Sequence, residues 1–290
     1  MRALPARSGL FCCLLMIFFT LSSSSLGAVK KASIIICAET GKVLHENNAD
    51  AITPPASLTK MMTLYLTFMA LREKRLSFDQ KLPVSKHASL AAPCKLWLEP
   101  GAVITVRDAI LGMVTKSAND ASIAIAEKLG KGSESKFALI MTEQARRLGM
   151  TKTIFKNSHG LPEKQQSRTT ARDMAILSQR LYKDFPEYFK VFKEPTFAYK
   201  GQVHQNHNRL LGKIPGLDGI KTGFINASGF NLAASVVRDN RRIIAVVMGG
   251  ESAKARDKEM VKLLDATYSN LRGEKGFSKG NNHKSIEDLL

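Results

Sequence analysis

The 290-residue chain is short of tryptophan, of cysteine, of acidic residues and of long apolar runs, and each shortage excludes something. With one Trp and five Tyr, it has no cluster of stacking aromatics interleaved with its bases. Lys and Arg are scattered along the whole length and no nucleic-acid motif accompanies them, so nucleic acid is not expected as a partner. Of four cysteines, Cys12 and Cys13 fall in the first 28 residues, leaving Cys37 and Cys94, which is too few for a disulfide scaffold. Cys37 ends the run Ser33-Ile-Ile-Ile-Cys37 and reads as a small buried hydrophobe. Cys94 follows Ala-Ala-Pro in a loop-like stretch, and a disulfide between the two is not expected. Only 25 acids face 43 bases, a net charge of +18. In an exported protein that excess favours weak association with anionic envelope polymers or membrane surfaces.

The apolar run Leu10–Leu21 is shorter than the roughly 20 residues that span a bilayer. Arg2 and Arg7 precede it, and Ser22–Ser25 and Gly27-Ala28 follow. This is the pattern of a secretory signal peptide over residues 1–28, cut near Ala28, and it places the mature chain in the periplasm or cell envelope. Losing Arg2 and Arg7 would leave the mature side chains at +16.

What remains, 44% hydrophobic residues overall, suits one domain over 29–272, followed by a Gly-, Lys-, Asn- and Ser-rich tail over 273–290 expected to be mobile. Strands are expected at Ala32–Ala38 and Val43–Glu46, joined by the turn Glu39–Lys42. A helix over Ser57–Leu71 follows Pro54-Pro55. Apolar residues at three-to-four spacing mark helices over Val106–Val114, Ala121–Leu129, Ser135–Leu148 and Ala171–Tyr182. Thr170 and Asp173 look like a capping pair for the last. Strands return at Gly219–Ile225, Phe230–Val237 and Arg242–Met248, before a helix over 253–271. Strands from both chain ends therefore enclose a helical insert, an α/β arrangement.

Three short motifs carry chemistry. Ser57-Leu-Thr-Lys60 sets a hydroxyl and an amine one turn apart on one helix face, a nucleophile beside a base if the amine is neutral. Ser117-Ala-Asn119 puts a hydroxyl and an amide between two helices. Lys221-Thr222-Gly223 lies on a strand, where a residue without a side chain lets a substrate backbone approach the sheet edge. Each alone has a bland reading: a helix cap with a solvated lysine, another cap, a chance tripeptide.

In this order and with these separations, the triplets match the set found in penicillin-binding proteins and active-site-serine β-lactamases. Over roughly residues 30–270 the chain resembles the low-molecular-mass D-alanyl-D-alanine carboxypeptidases. The surroundings agree: Pro54-Pro-Ala-Ser-Leu-Thr-Lys-Met-Met62, Leu98-Glu-Pro-Gly101, Ser117-Ala-Asn-Asp-Ala121, Asn157-Ser-His-Gly-Leu161 and Asp218-Gly-Ile-Lys-Thr-Gly-Phe224. The resemblance implies a β-lactamase/transpeptidase-like fold, a central antiparallel sheet flanked by helices with an all-helical subdomain inserted. It makes Ser57 the acylated nucleophile, Lys60 its base, and Ser117 and Asn119 helpers in proton transfer and positioning. Lys221 and Thr222 would hold the substrate carboxylate, Gly223 would line the cleft, and the backbone N–H groups of Ser57 and Phe224 would form the oxyanion hole. Arg256 matches a family arginine near that carboxylate, with a plain surface arginine as the other reading. No metal or organic cofactor is implied, and His204-x-x-His207 lacks a suitably spaced third ligand.

The implied activity is removal of the terminal D-alanine from peptidoglycan stem pentapeptides, with β-lactams as covalent inhibitors. A D,D-endopeptidase acting on cross-links uses the same residues. A class A β-lactamase is disfavoured, since no Glu-x-x-Leu-Asn segment lies between Asn119 and Lys221 and Ala118 stands where those enzymes have Asp. An inactive envelope-binding module would have no need for all three motifs. Many family members continue into a β-rich second domain and an amphipathic anchor. Ile286–Leu290 is too short and acidic for such an anchor, so a soluble enzyme is expected.

Overall fold

The computed structural model describes residues 29–163 and 165–273; the expected signal peptide over 1–28 and the tail from 274 lie outside the described residues. The chain opens with strands β1 (Ala32–Cys37) and β2 (Val43–Asn47), then a 3-10 turn over Ala56–Thr59 that runs into α1 (Lys60–Arg72). A mostly helical stretch follows, with β3 (Lys81–Pro83), α2 (Lys86–Ser89), β4 (Val103–Thr105), α3 (Val106–Val114), α4 (Asn119–Leu129) and α5 (Glu134–Arg147). Next come α6 (Ala171–Asp184), α7 (Pro186–Phe189), β5 (Thr196–Tyr199) and β6 (Gln202–Gln205). The chain then returns to strands β7 (Leu217–Ile225), β8 (Gly229–Arg238) and β9 (Arg241–Gly250), and ends in α8 (Ala253–Gly273).

The main sheet has the order β2-β1-β9-β8-β7, antiparallel throughout, so both chain ends do build it. Both of its faces are covered, which explains why β9 reads as a nearly continuous apolar run rather than an alternation. Ile244, Val246 and Met248 pack into a core shared with α1, α3, α4 and α6, while Ile243, Ala245 and Val247 pack against Met260, Leu264 and Tyr268 of α8. The aromatic knot of Phe68, Phe185, Tyr188 and Phe192 locks α1 to the α6–α7 corner. Edge-to-face pairs such as Phe68–Phe185, with centroids 5.9 Å apart, add to the area these rings bury.

The expected elements all form, with ends shifted by up to three residues, and the cap of α6 is present: Thr170 Oγ1 accepts from the backbone N–H of Asp173 at 3.1 Å. Two short antiparallel pairs, β3–β4 and the hairpin β5–β6, were not anticipated, because runs of three or four residues carry too little periodicity. Cys37 needs correcting. It ends β1 half-buried, and its thiol donates to the Glu39 carboxylate at 3.3 Å instead of filling the core. Cys37 and Cys94 are both free thiols.

Candidate active site

The site lies where the helical insert meets edge strand β7. The expected helix over Ser57–Leu71 begins instead with the 3-10 turn Ala56–Thr59, and Ala56 sits in the left-handed region at φ 48°. The tighter turn has a consequence for chemistry. At three residues per turn, positions i and i+3 eclipse, which brings Lys60 Nζ to 3.1 Å from Ser57 Oγ. Ser57 stays partly open while Lys60 is fully buried.

Burial and the nearby Lys221 ammonium hold the Lys60 amine well below its usual pKa, against the smaller opposing pull of Cys94, Asp120 and Glu134. A neutral amine can accept the proton of Ser57, and the hydrogen bond then runs from Oγ–H to Nζ. The other anchor of Nζ is the carbonyl of His159, at 3.0 Å. The His159 ring is itself pushed down to about 4, by burial first and by the Lys60 charge, with Glu134 opposing, so it is an uncharged imidazole at neutral pH.

Ser117 lies between α3 and α4 at φ 59°, and Asn119 opens α4. Asn119 is tied to the 91–98 loop, its backbone N–H donating to Cys94 O at 2.8 Å and its Nδ2 to Ala92 O at 2.7 Å. Next to it, the buried Asp120 carboxylate receives the N–H groups of Leu96 at 3.0 Å and Leu98 at 3.1 Å, pinning the same loop. The Ser117 Oγ and Asn119 Oδ1 atoms are buried and have no hydrogen-bond partner among the described residues. Orphaned polar atoms are costly, so a bound group that reached Ser117 or Asn119 would gain a hydrogen bond there.

Strand β7 carries Lys221, Thr222 and Gly223 and passes close to Ser57. A Cβ on Gly223 would stand 3.1 Å from Ser57 N and 3.2 Å from Leu58 N, so glycine is what lets the strand close in. Lys221 is buried, its ammonium bonded to the carbonyl of Thr222 at 3.0 Å, and burial brings its pKa to about 7. Arg256 further lowers the Lys221 value. Arg256 is only 4% exposed and paired with Asp257 at 2.6 Å, which rules out the plain surface arginine. Phe224 stacks its partly exposed ring on Phe230 with centroids 4.2 Å apart. Sequence reasoning missed Asp120 and Glu134 as organisers of the site, and the 91–98 loop as its wall; an isolated acid or loop carries no spacing signal. His204 lies beside the Phe197 ring, and the His207 backbone N–H donates to Thr115 O.

The comparisons with known proteins agree with this geometry. The family model described as D-alanyl-D-alanine carboxypeptidase, Peptidase S11, matches residues 21–252. The chain belongs to that family. It is 35% identical to the D-alanyl-D-alanine carboxypeptidase DacF of Bacillus subtilis, over 85% of this chain and 64% of that protein. With DacC of Escherichia coli the identity is 38%, over 81% of this chain and 60% of the relative. The chain thus spans less than two thirds of the length of these two relatives. Among solved structures, penicillin binding protein 5 of Haemophilus influenzae superposes with a TM-score of 0.79 at 32% identity, covering 83% of this chain and 71% of that one. Penicillin-Binding Protein D2 of Listeria monocytogenes, in its ampicillin-bound form, gives 0.76 at 32% identity, covering 84% and 99%. The fold is that of the penicillin-binding and β-lactamase-like D,D-carboxypeptidases, as the sequence resemblance implied.

Proposed function

We propose that this S11 peptidase is an exported serine D-Ala-D-Ala carboxypeptidase that removes the terminal D-alanine of peptidoglycan stem pentapeptides. The observation that carries the reading is the buried amine of Lys60, held 3.1 Å from Ser57 Oγ with its pKa lowered by burial and Lys221. Ser57 Oγ attacks the carbonyl of the penultimate D-alanine while its proton passes to Lys60 Nζ. The oxyanion that develops is met by the N–H groups of Ser57 and Phe224. The peptide C–N bond then breaks, and the departing amine takes a proton from Lys60 by way of Ser117. Water, deprotonated by the same amine, hydrolyses the ester on Ser57 and restores the hydroxyl. Asn119 positions the substrate amide, and Lys221, Thr222 and Arg256 hold the terminal carboxylate.

A β-lactam would meet the same nucleophile, a reading supported by the ampicillin-bound form of the similar Listeria protein. Its amine leaving group stays tethered to the acyl fragment, so it becomes a covalent inhibitor. The expected location is the periplasm or cell envelope. No helix among the described residues is long and apolar enough to cross a membrane. The test is release of free D-alanine from a stem pentapeptide, compared with cleavage of a D,D-cross-linked dimer. Faster turnover of the dimer than of the pentapeptide would replace the carboxypeptidase with an endopeptidase.

A further inference from the structure

Glu134 begins α5, outside the motifs that supply Ser57 and Lys60. It is nevertheless 8% exposed, a carboxylate buried among polar groups that lead toward both. Its Oε1 accepts from the Ser158 backbone N–H at 2.9 Å and from the Ser158 hydroxyl at 2.6 Å, and its Oε2 meets His87 Nε2 of α2 at 2.8 Å. The Ser158 carbonyl on the other side of that turn accepts from Thr63 of α1 and Ser122 of α4, at 2.7 and 2.9 Å. The next carbonyl, His159 O, holds Lys60 Nζ. Gly160 then packs so tightly that a Cβ there would lie 1.8 Å from Ala56 O, the residue before the nucleophile. The turn is pressed against the catalytic pair, and Glu134 is its anchor.

We propose that Glu134 is a positioning residue for Lys60, acting through the 157–160 turn whose His159 carbonyl orients the amine. Its place in the first turn of α5 favours the anionic form. Burial alone would neutralise the carboxyl, but His159, the two Ser158 donors and His87 together bring its pKa below the ordinary value. The His159 ring is neutral at pH 7, so its 3.7 Å approach to Glu134 is not an ion pair there. The hydrogen bonds from Ser158 and His87 then do the holding.

The charge acts on Lys60 as well as the geometry. Lys60 is faced by Lys221 from β7, by Asp120 from α4, by Cys94 from the 91–98 loop, by Glu134 from α5 and by His159 from the turn. Glu134 is faced by His87, His159 and Lys60, and His159 also lies 3.7 Å from Glu163. Glu134 is thus one of the few anions that raise the Lys60 pKa. Removing its charge while keeping its shape lets the amine lose its proton at lower pH.

This inference rests on the reading of Ser57 and Lys60 as the acylating pair. The experiment measures the acylation rate of the full chain by a fluorescent penicillin between pH 4.5 and 9. It compares wild type, Glu134→Gln and Glu134→Ala. In Glu134→Gln the amide oxygen still accepts from Ser158, so the plateau stays within a few-fold of wild type. The acid limb moves to lower pH, because one of the charges that raise the Lys60 pKa is gone. In Glu134→Ala the turn loses its anchor and the plateau falls at least about tenfold. An acid limb in Glu134→Gln that coincides with wild type overturns the inference, whether or not Glu134→Ala folds. A wild-type chain that takes no label on Ser57 overturns the function itself, a failure distinguishable from an unmoved limb in a labelled protein.

Discussion

Lys221 should destabilise the protein whose function it serves. Burial brings its pKa to about 7 from an ordinary 10.5, so unfolding at neutral pH takes up a proton that the native site holds poorly. By proton linkage this lysine costs the native state about 4 kcal/mol at pH 7 and about 2 kcal/mol at pH 9. The sign follows from proton counts: between these pH values the unfolded chain binds more protons than the folded one, so stability rises with pH. Lys221→Met, similar in length and apolar, removes the penalty at the cost of the bond to the Thr222 carbonyl, about 1 kcal/mol. The variant should be more stable than wild type at pH 7 by roughly 2–3 kcal/mol, a gain of roughly 5–10 °C in Tm for a domain of this size. The advantage should shrink by about half or more at pH 9. Release of D-alanine should be lost throughout. Urea unfolding of both proteins at the two pH values is the assay. A Lys221→Met protein less stable than wild type at pH 7, or a difference that does not change with pH, would refute the reasoning.

Lys60→Arg puts a guanidinium that stays protonated where the buried wild-type amine favours its uncharged form, so it should fail to acylate and lose some stability to the buried charge. Labelling by fluorescent penicillin at wild-type speed would assign the base elsewhere. Gly223→Ala places a methyl 3.1 Å from Ser57 N, over one of the expected oxyanion donors. Acylation should slow by roughly a hundredfold with little change in thermal stability, and a parallel loss of both would point to misfolding of β7 instead.

The sheet was legible from its apolar runs and the long helices from their apolar stripes. β8 and β9 are buried on both faces, and α3, α5 and α6 each bury one stripe. The three motifs were legible because their spacings recur together, and Lys60 and Gly223 lie close to Ser57. The parts that escaped lack such signals. Nothing in the letters around Pro54-Pro55 distinguishes a 3-10 entry from an α-helical one, although the tighter turn sets the Ser57–Lys60 distance. Asp120 and Glu134 look like ordinary helix acids until the 91–98 loop and the 157–160 turn fold against them. Cys37 reads as core because its neighbours Ile34–Ile36 are core, yet the strand ends there and the thiol turns to Glu39.

The account's central claim is that Ser57 forms an acyl-enzyme and that a β-lactam traps it. A glutamate of the kind that activates deacylating water in class A β-lactamases is absent from the expected segment, so the penicilloyl ester should outlast the natural acyl-enzyme by far. The measurement is mass spectrometry of peptides after a penicillin chase. One adduct should sit on the peptide containing Ser57, persist long after free drug is removed, and be missing from Ser57→Ala. Fast consumption of penicillin without a trapped adduct, or an adduct on any other residue, would contradict it.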